Sequence, residues 1–368
     1  MIPDKIFNNI FKNKKIFVTG HTGFIGSWLS LWLKLLGSDV TGYSLESPTK
    51  PSLFEILSLE HEINHIHGDL RDSKKITDEI ENFKPDIVFH LAAQALVRES
   101  YSNPLDTLNT NIIGTANVFD AIRNCKNVKV AINMTSDKCY DNRFGNKPRT
   151  ENDPMGGHDP YSVSKGASEL ITASYRNSFF NSKNECKIAT ARCGNVIGGG
   201  DWSNDRIIPD SIRALSNDED IIIRNPTATR PWQHVLESIS GIMWLATKML
   251  KEEGFDEAWN FGPNYDSNSV TVEQLVKRII RIWGSNRSLK IQTSPTQLYE
   301  SKLLILDSTK SNKQLGWGNT LSLDETLSET INWYKMYNDK NNDSKEYTIN
   351  QIKKYVTLAR QRNLIWAK

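Results

Sequence analysis

Three glycines in the run GHTGFIG, Gly20, Gly23 and Gly26, constrain this chain more than any other feature. An apolar, β-branched run at residues 15–19 precedes them. An apolar helical pattern at residues 27–36 follows. Glycines at this spacing permit a tight turn and let the backbone approach a pyrophosphate closely. The helix N-terminus then offers unpaired N–H groups and a favourable dipole. A glycine triplet alone is weak evidence, but a strand before it and a helix after it make the reading specific. Thr22, Phe24 and Ile25 complete the loop as cofactor-binding candidates.

Further β-branched runs at 39–44, 63–67, 86–91 and 128–135 alternate with helical patterns. That alternation predicts an α/β chain with a Rossmann-type, doubly wound parallel sheet. After Gly194 the pattern loosens, Pro, Gly and Asn become frequent, and a short strand is expected at 220–224. This region reads as a smaller, interleaved α/β substrate lobe. The expected division is a dinucleotide-binding domain over 1–194, to which later segments return, a lobe mainly over 195–336, and a polar loop with a final helix over 337–368.

The bulk numbers narrow the function class. With 368 residues, the chain is long enough for a core domain and a second lobe. A net charge of +2 gives no electrostatic case for nucleic acid or an acidic membrane. Lys34 interrupts the longest apolar stretch, so no bilayer-crossing segment is expected, and residues 1–15 lack the apolar centre of a secretory signal. Cys125, Cys139, Cys186 and Cys193 show no CxxC spacing. That argues against a metal site or redox pair and for a reducing, cytoplasmic setting.

The second strand ends Ser44-Leu45-Glu46, with no Arg to receive a 2′-phosphate, so NAD is favoured over NADP. Glu46 stands where it can reach the ribose or remain a solvated loop charge. Tyr161-Ser-Val-Ser-Lys165 places Tyr161 and Lys165 one helical turn apart on one face. An ammonium there is expected to lower the phenol pKa toward working pH and make Tyr161 a base for a substrate hydroxyl.

The GxxGxxG loop, Ser136 and the YxxxK pair, in this order, resemble the extended short-chain dehydrogenases/reductases. Ser136 stands where that superfamily has its catalytic Ser or Thr. Asp69-Leu70 and Ala92-Ala93-Gln94 stand where it lines the adenine and the nicotinamide ribose. Longer blocks narrow the resemblance to the CDP-glucose 4,6-dehydratases: GHTGFIGSWLSLWL, PSLFE, TSDKCYDN, ENDPMGGHDPYSVSK, GNVIGGGDW, RPWQHVLE, WNFGP and LGW. Ile25 departs from the Lys common in that family, and Tyr299-Glu300-Ser301 departs from its His-Glu-Ala.

The resemblance implies NAD-dependent loss of water from CDP-glucose, in deoxysugar biosynthesis, by a homodimer. It implies an acid at Asp137. Lys138 stands where related dehydratases carry a Glu base. It acts either as a neutral amine that takes the proton at sugar position 5 or as an ammonium that stabilises the enolate. Asn195, Arg206 and Arg230 match positions that hold the substrate and its diphosphate, a role suited to forked guanidiniums. Trp232 and His234 are ligand contacts or core packing. An epimerase or another nucleotide-sugar dehydratase of the same superfamily, and a non-catalytic dinucleotide-binding regulator, are the rival readings. The acid–base pair argues against the epimerase, and the intact Tyr161 and Lys165 argue against the regulator.

Overall fold

Strand β1 (Lys15–Thr19) is buried along all but its first residue, as a strand covered on both faces must be. In the computed structural model it lies inside a seven-stranded sheet with β2 (Asp39–Ser44), β3 (Asn64–His67), β4 (Ile87–His90), β5 (Val130–Met134), β6 (Lys187–Cys193) and β10 (Ala258–Phe261). The order is β10-β6-β5-β4-β1-β2-β3, and every pairing is parallel. Strand order reverses beside β1, between β2 and β4, so the loops after β1 and β4 open into one crevice. The structure describes residues 5–141, 147–180, 185–263, 270–292, 305–339 and 341–368. Asn142 and the Tyr299-Glu300-Ser301 segment lie outside them.

Helices cover both faces. On one, α3 (Ser73–Phe83), α6 (Gly114–Asn124) and α7 (Pro160–Phe179) pack over Phe17, Val88, Ala131 and Ile188. The short helices α4 (Val97–Ser102) and α5 (Pro104–Leu108) lie beside α7. On the other face, α1 (Phe24–Leu35), the short α2 (Leu53–Ile56) and α9 (Val235–Lys251) share a core with α11 (Leu323–Asn338) and α12 (Ser344–Gln361). Alternate strand residues supply the two cores, because successive side chains point to opposite faces.

The strand expected at 220–224 is β8 (Ile221–Ile223), paired in parallel with β11 (Leu289–Ile291) and packed by α8 (Ile207–Ser216) and α10 (Val272–Trp283). A two-residue pair, β7 (Val196–Ile197) with β9 (Gln233–His234), leads from the large sheet toward this part. The final helix begins at Ser344 rather than near Tyr347, because the Asp343 side chain caps it by accepting from the amides of Lys345 and Glu346. It carries Tyr355 onto Trp366 in a buried aromatic cluster with Trp32 and Phe7.

Two strands at one end of the sheet, the edge strand β10 and its neighbour β6, escape the sequence pattern. β6 reads KIATARC and β10 reads AWNF, with Thr190, Arg192 and Asn260 all buried. These polar residues answer one another across the sheet and do not face water, so apolar runs alone do not reveal the strands.

Candidate active site

The first turn of the cofactor loop is built by glycine. Gly20 adopts φ +78° and donates its N–H to the Tyr43 carbonyl at 3.0 Å. A Cβ on Gly26 would lie 2.1 Å from the Gly20 carbonyl oxygen, so only glycine lets α1 begin against this turn. The helix starts at Phe24 with Gly23 as its N-cap, leaving its first amides free of intrahelical partners. Thr22 closes the far side through Ser44 (2.7 Å) and the Leu45 carbonyl (3.0 Å). The cradle and the Ser44 terminus fit a dinucleotide pyrophosphate and an unphosphorylated ribose. Glu46 is exposed and lies 3.8 Å from His67.

Asp69 follows β3 and is held by Arg71, which donates to it from both backbone and side chain. Leu70 is buried against Gly114. After β4, the amide of Ala92 donates to Thr19 Oγ1 at 3.2 Å. Asn111 grips the Gln94 backbone at both ends: its Oδ1 accepts from the amide (2.8 Å) and its Nδ2 donates to the carbonyl (3.0 Å).

A cavity of about 360 Å³ opens beside this loop. Ile25 and Ala93 line its cofactor side, while Ser136, Asp137, Lys138, Tyr161 and Lys165 line its wall. Asn195, Arg206 and Arg230 face it from the second lobe, as does Trp232. Gly20, Thr22, Asp69 and Leu70 lie outside this cavity, along the crevice over β1, β2 and β3. His234 is fully buried and its Nδ1 accepts from the Leu236 amide, so it is a core residue and not a ligand contact.

Helix α7 sets the wall. Asp159 caps it by accepting from the Ser162 amide (2.9 Å) and hydroxyl (2.7 Å), and Pro160 opens its first turn. Tyr161 and Lys165 then project from one face. The expectation that Lys165 draws the phenol pKa downward is not what the fold shows. Burial dominates and pushes Tyr161 up to about 12, opposed by the Ser136 hydrogen bond and the Arg206 charge. Burial also pushes the Lys165 ammonium down to about 8, with Glu169 opposing it.

After β5 the chain makes a short 3₁₀ turn at Asp137–Cys139. Asp137 is buried; its Oδ1 accepts from Ser136 Oγ (3.1 Å) and Lys138 Nζ (3.3 Å), while Oδ2 has no hydrogen-bond partner. Asp137 and Lys138 are therefore one ion pair at the cavity wall. Arg206 donates to Asp201 at 3.1 Å, which holds its charge firmly. Arg230 donates to the Thr229 carbonyl at 2.9 Å, and the Asn195 side-chain oxygen is buried without a partner.

Sequence reasoning did not reach Arg98, Asp205 and Arg224. Asp205 accepts from Arg98 (3.1 Å) and Arg224 (2.7 Å) at the cavity rim, joining α4 to the end of β8. No spacing in the sequence links these three. It also passed over Glu169, which does carry a signal, since it follows Lys165 by one helical turn.

The family model described as GDP-mannose 4,6 dehydratase matches residues 17–330. CDP-glucose 4,6-dehydratase of Salmonella typhimurium is 48% identical over 337 residues, spanning 90% of this chain and 93% of that protein. A dTDP-glucose 4,6-dehydratase of Xanthomonas campestris is 23% identical over 86% of this chain and 92% of its own length. Among solved structures, UDP-glucose 4-epimerase of Thermotoga maritima with UDP-glucose superposes with a TM-score of 0.77 at 25% identity, over 88% of this chain and all of that one. DesIV, a dTDP-glucose 4,6-dehydratase of Streptomyces venezuelae with NAD and TYD bound, shares the fold with a TM-score of 0.75 at 20% identity, over 87% of this chain and 97% of that one. Loop, catalytic wall and relatives lead to one assignment: this chain belongs to the GDP-mannose 4,6-dehydratase family, the nucleotide-sugar dehydratases of the extended short-chain dehydrogenase/reductase type.

Proposed function

We propose that this chain converts CDP-glucose to CDP-4-keto-6-deoxyglucose with loss of water, using NAD. The observation that carries this reading is the Asp137–Lys138 ion pair on the same cavity wall as Tyr161 and Lys165. Likeness over nine-tenths of the chain to the Salmonella CDP-glucose enzyme supports the choice of substrate. NAD, when bound, would supply a reversible hydride acceptor for the sugar. Gly20, Thr22, Gly23, Phe24, Ile25 and Gly26 would hold its pyrophosphate, Asp69 and Leu70 its adenosine end, and Ala92, Ala93 and Gln94 its nicotinamide ribose. Tyr161 accepts the proton of the 4-hydroxyl, with Ser136 and Lys165 stabilising the phenolate.

The resulting ketone acidifies the proton at position 5. One proton moving across the 3.3 Å Nζ–Oδ1 contact turns ammonium and carboxylate into amine and carboxylic acid. Lys138 then takes the proton at position 5 while Asp137 protonates the departing 6-hydroxyl, and water leaves. An epimerase performs no elimination and needs no such pair. Asn195, Arg206 and Arg230 hold the diphosphate side of the substrate.

Residues 1–194, with later segments such as α9 and β10 returning to them, form the NAD-binding domain, residues 195–336 supply mainly the nucleotide-sugar lobe, and residues 337–368 a polar loop and final helix. We assign the working state to a cytoplasmic homodimer. Leu105, Ile113, Val163 and Leu170 are exposed apolar residues along the α5–α7 side of the large domain, and the four cysteines are free and buried.

The test is incubation of the purified chain with CDP-glucose and a catalytic amount of NAD. A 4-keto-6-deoxy product should accumulate with no net NADH. Stoichiometric NADH, or a 4-epimer in place of a ketone, sinks the reading.

A further inference from the structure

Tyr161, Lys165 and Glu169 follow one another at four-residue intervals along one buried face of α7. The proposed reaction uses the first two and leaves the third unexplained. Glu169 is a buried carboxylate with every contact made inside the protein. It accepts from the Thr135 hydroxyl, from Thr190 Oγ1 at 2.8 Å and from Arg192 Nη2 at 2.7 Å. Thr135 is the residue immediately before Ser136, Asp137 and Lys138. Arg192 extends the chain of contacts: it donates to Tyr140 OH at 2.8 Å and lies over that ring, and Tyr140 donates to Asn260 Oδ1 at 2.6 Å. A buried ion pair is weak evidence for added stability, since its desolvation cost rivals its attraction. Its place, at the joint between the catalytic helix and the acid–base turn, calls for another account.

We propose that Glu169 is a positioning residue for this reaction, holding Thr135 so that the Ser136–Lys138 turn faces the cavity and supplying the counter-charge that keeps Lys165 an ammonium. The inference rests on the dehydratase reading for its catalytic consequence, though not for its electrostatic one. The charged and titratable groups around Lys165 are Tyr161 and Glu169 on its own helix, Cys139 in the acid–base turn and His90 on β4. Around Glu169 they are Arg192 on β6, Cys139, Lys165 and Arg176. Burial drives Lys165 toward the neutral amine, and Glu169 is the carboxylate that opposes it. His90 bears no charge at working pH, since burial pushes its imidazole down to about 3. An uncharged Lys165 withdraws the cation that stabilises the Tyr161 phenolate, so catalysis fades as Lys165 loses its proton at high pH.

The experiment follows Lys165 directly in the full-length protein. Lysine side-chain carbons are labelled, the Lys165 signal is assigned by its loss in K165R, and its titration is read by NMR with no substrate present. The midpoint should fall near 8 in the parent protein. It should drop by roughly one pH unit in E169Q. The double variant E169Q/R192M removes the Arg192 guanidinium that E169Q would strand without its partner, and guards against failure of the single variant to fold. It should show the same drop, and E169D should restore the parent midpoint. The high-pH limb of kcat should move by the same amount in the same direction. A Lys165 midpoint unchanged in both Gln variants overturns the proposal, as does a loss of kcat equal at all pH values. If the parent protein fails to turn over CDP-glucose but the Lys165 midpoint still moves, the substrate reading falls and the Glu169 assignment stands.

Discussion

At the scale of single residues, the site combines groups whose ordinary chemistry the fold has altered. Tyr161 is a worse acid in this pocket than in water, because burial disfavours its phenolate more than Ser136 and Arg206 favour it. Its function therefore depends on cations held close during turnover, and the chain supplies Arg206 and, one helical turn along α7, Lys165. Tyr161→Phe should abolish oxidation at the sugar 4-position, seen as no reduced nicotinamide in a single turnover, while CDP-glucose affinity stays within about twofold, since the loss falls on kcat. Near-parent turnover would remove Tyr161 from the mechanism. Lys138 tests the elimination half. In Lys138→Ala, with CDP-glucose deuterated at position 5, oxidation at position 4 should persist. Exchange of deuterium with solvent and loss of water should be suppressed together. Washout of deuterium at the parent rate would exclude Lys138 as the base. The Tyr161–Lys165 spacing was legible in the sequence; the direction of the phenol shift was not, because it comes from atoms far away in sequence.

At the scale of elements, the loop between β1 and α1 is set by close backbone packing. Gly26 admits no side chain, because a Cβ would overlap the Gly20 carbonyl. Gly26→Ala should push α1 away from the turn, weaken NAD binding by more than tenfold in calorimetry and lower the melting temperature. Gly254, which is at positive φ (+83°) and has nothing within 4 Å of its Cβ position, isolates backbone strain from steric overlap and is the control. Its replacement by Ala should cost only about 1 kcal/mol of backbone strain and leave NAD affinity alone. An NAD affinity unchanged in Gly26→Ala would show that the turn gives way to the added methyl. The glycine spacing was readable because it is a local rule. Strands β6 and β10 were not, because Arg192 and Asn260 are acceptable inside the sheet only beside Glu169 and Tyr140.

At the scale of the whole molecule, the C-terminal helices are locked to the large domain through Glu237 on α9. Its buried carboxylate accepts from the amides of Thr320 and Leu321 and from the Tyr355 hydroxyl of α12. Burial outweighs these bonds and pushes its pKa from 4.5 up to about 7. Between these values the folded chain keeps a proton that the unfolded chain has released. Stability from this group therefore falls as pH rises from about 4.5 through about 7, and stays low above. Glu237→Gln removes the slope. It should stabilise the protein at pH 8 relative to pH 4 by at most roughly 3 kcal/mol, read from denaturant melts. A pH-independent difference would show that Glu237 does not titrate in this window. Assembly belongs at this scale too. Leu170→Glu places a charge on the exposed apolar side of α7 and, on the proposed homodimer, should shift sedimentation from dimer to monomer. A variant that sediments like the parent would move the interface elsewhere.

The sequence by itself determined the alternation of strand and helix, the dinucleotide loop and the order of Ser136, Asp137, Lys138, Tyr161 and Lys165. Each of these rests on neighbours along the chain: a glycine where a turn needs it, or two side chains one helical turn apart. Tertiary structure decided which buried polar residues are partners and how burial reshapes their chemistry. Thr135, Glu169, Arg192, Tyr140 and Asn260 are scattered over more than a hundred positions, and a linear pattern records no contact between them. Arg98, Asp205 and Arg224 meet at the cavity rim for the same reason. The charge state of a buried group depends on the water it has lost and the ions folded beside it, and both exist only once the sheet has formed.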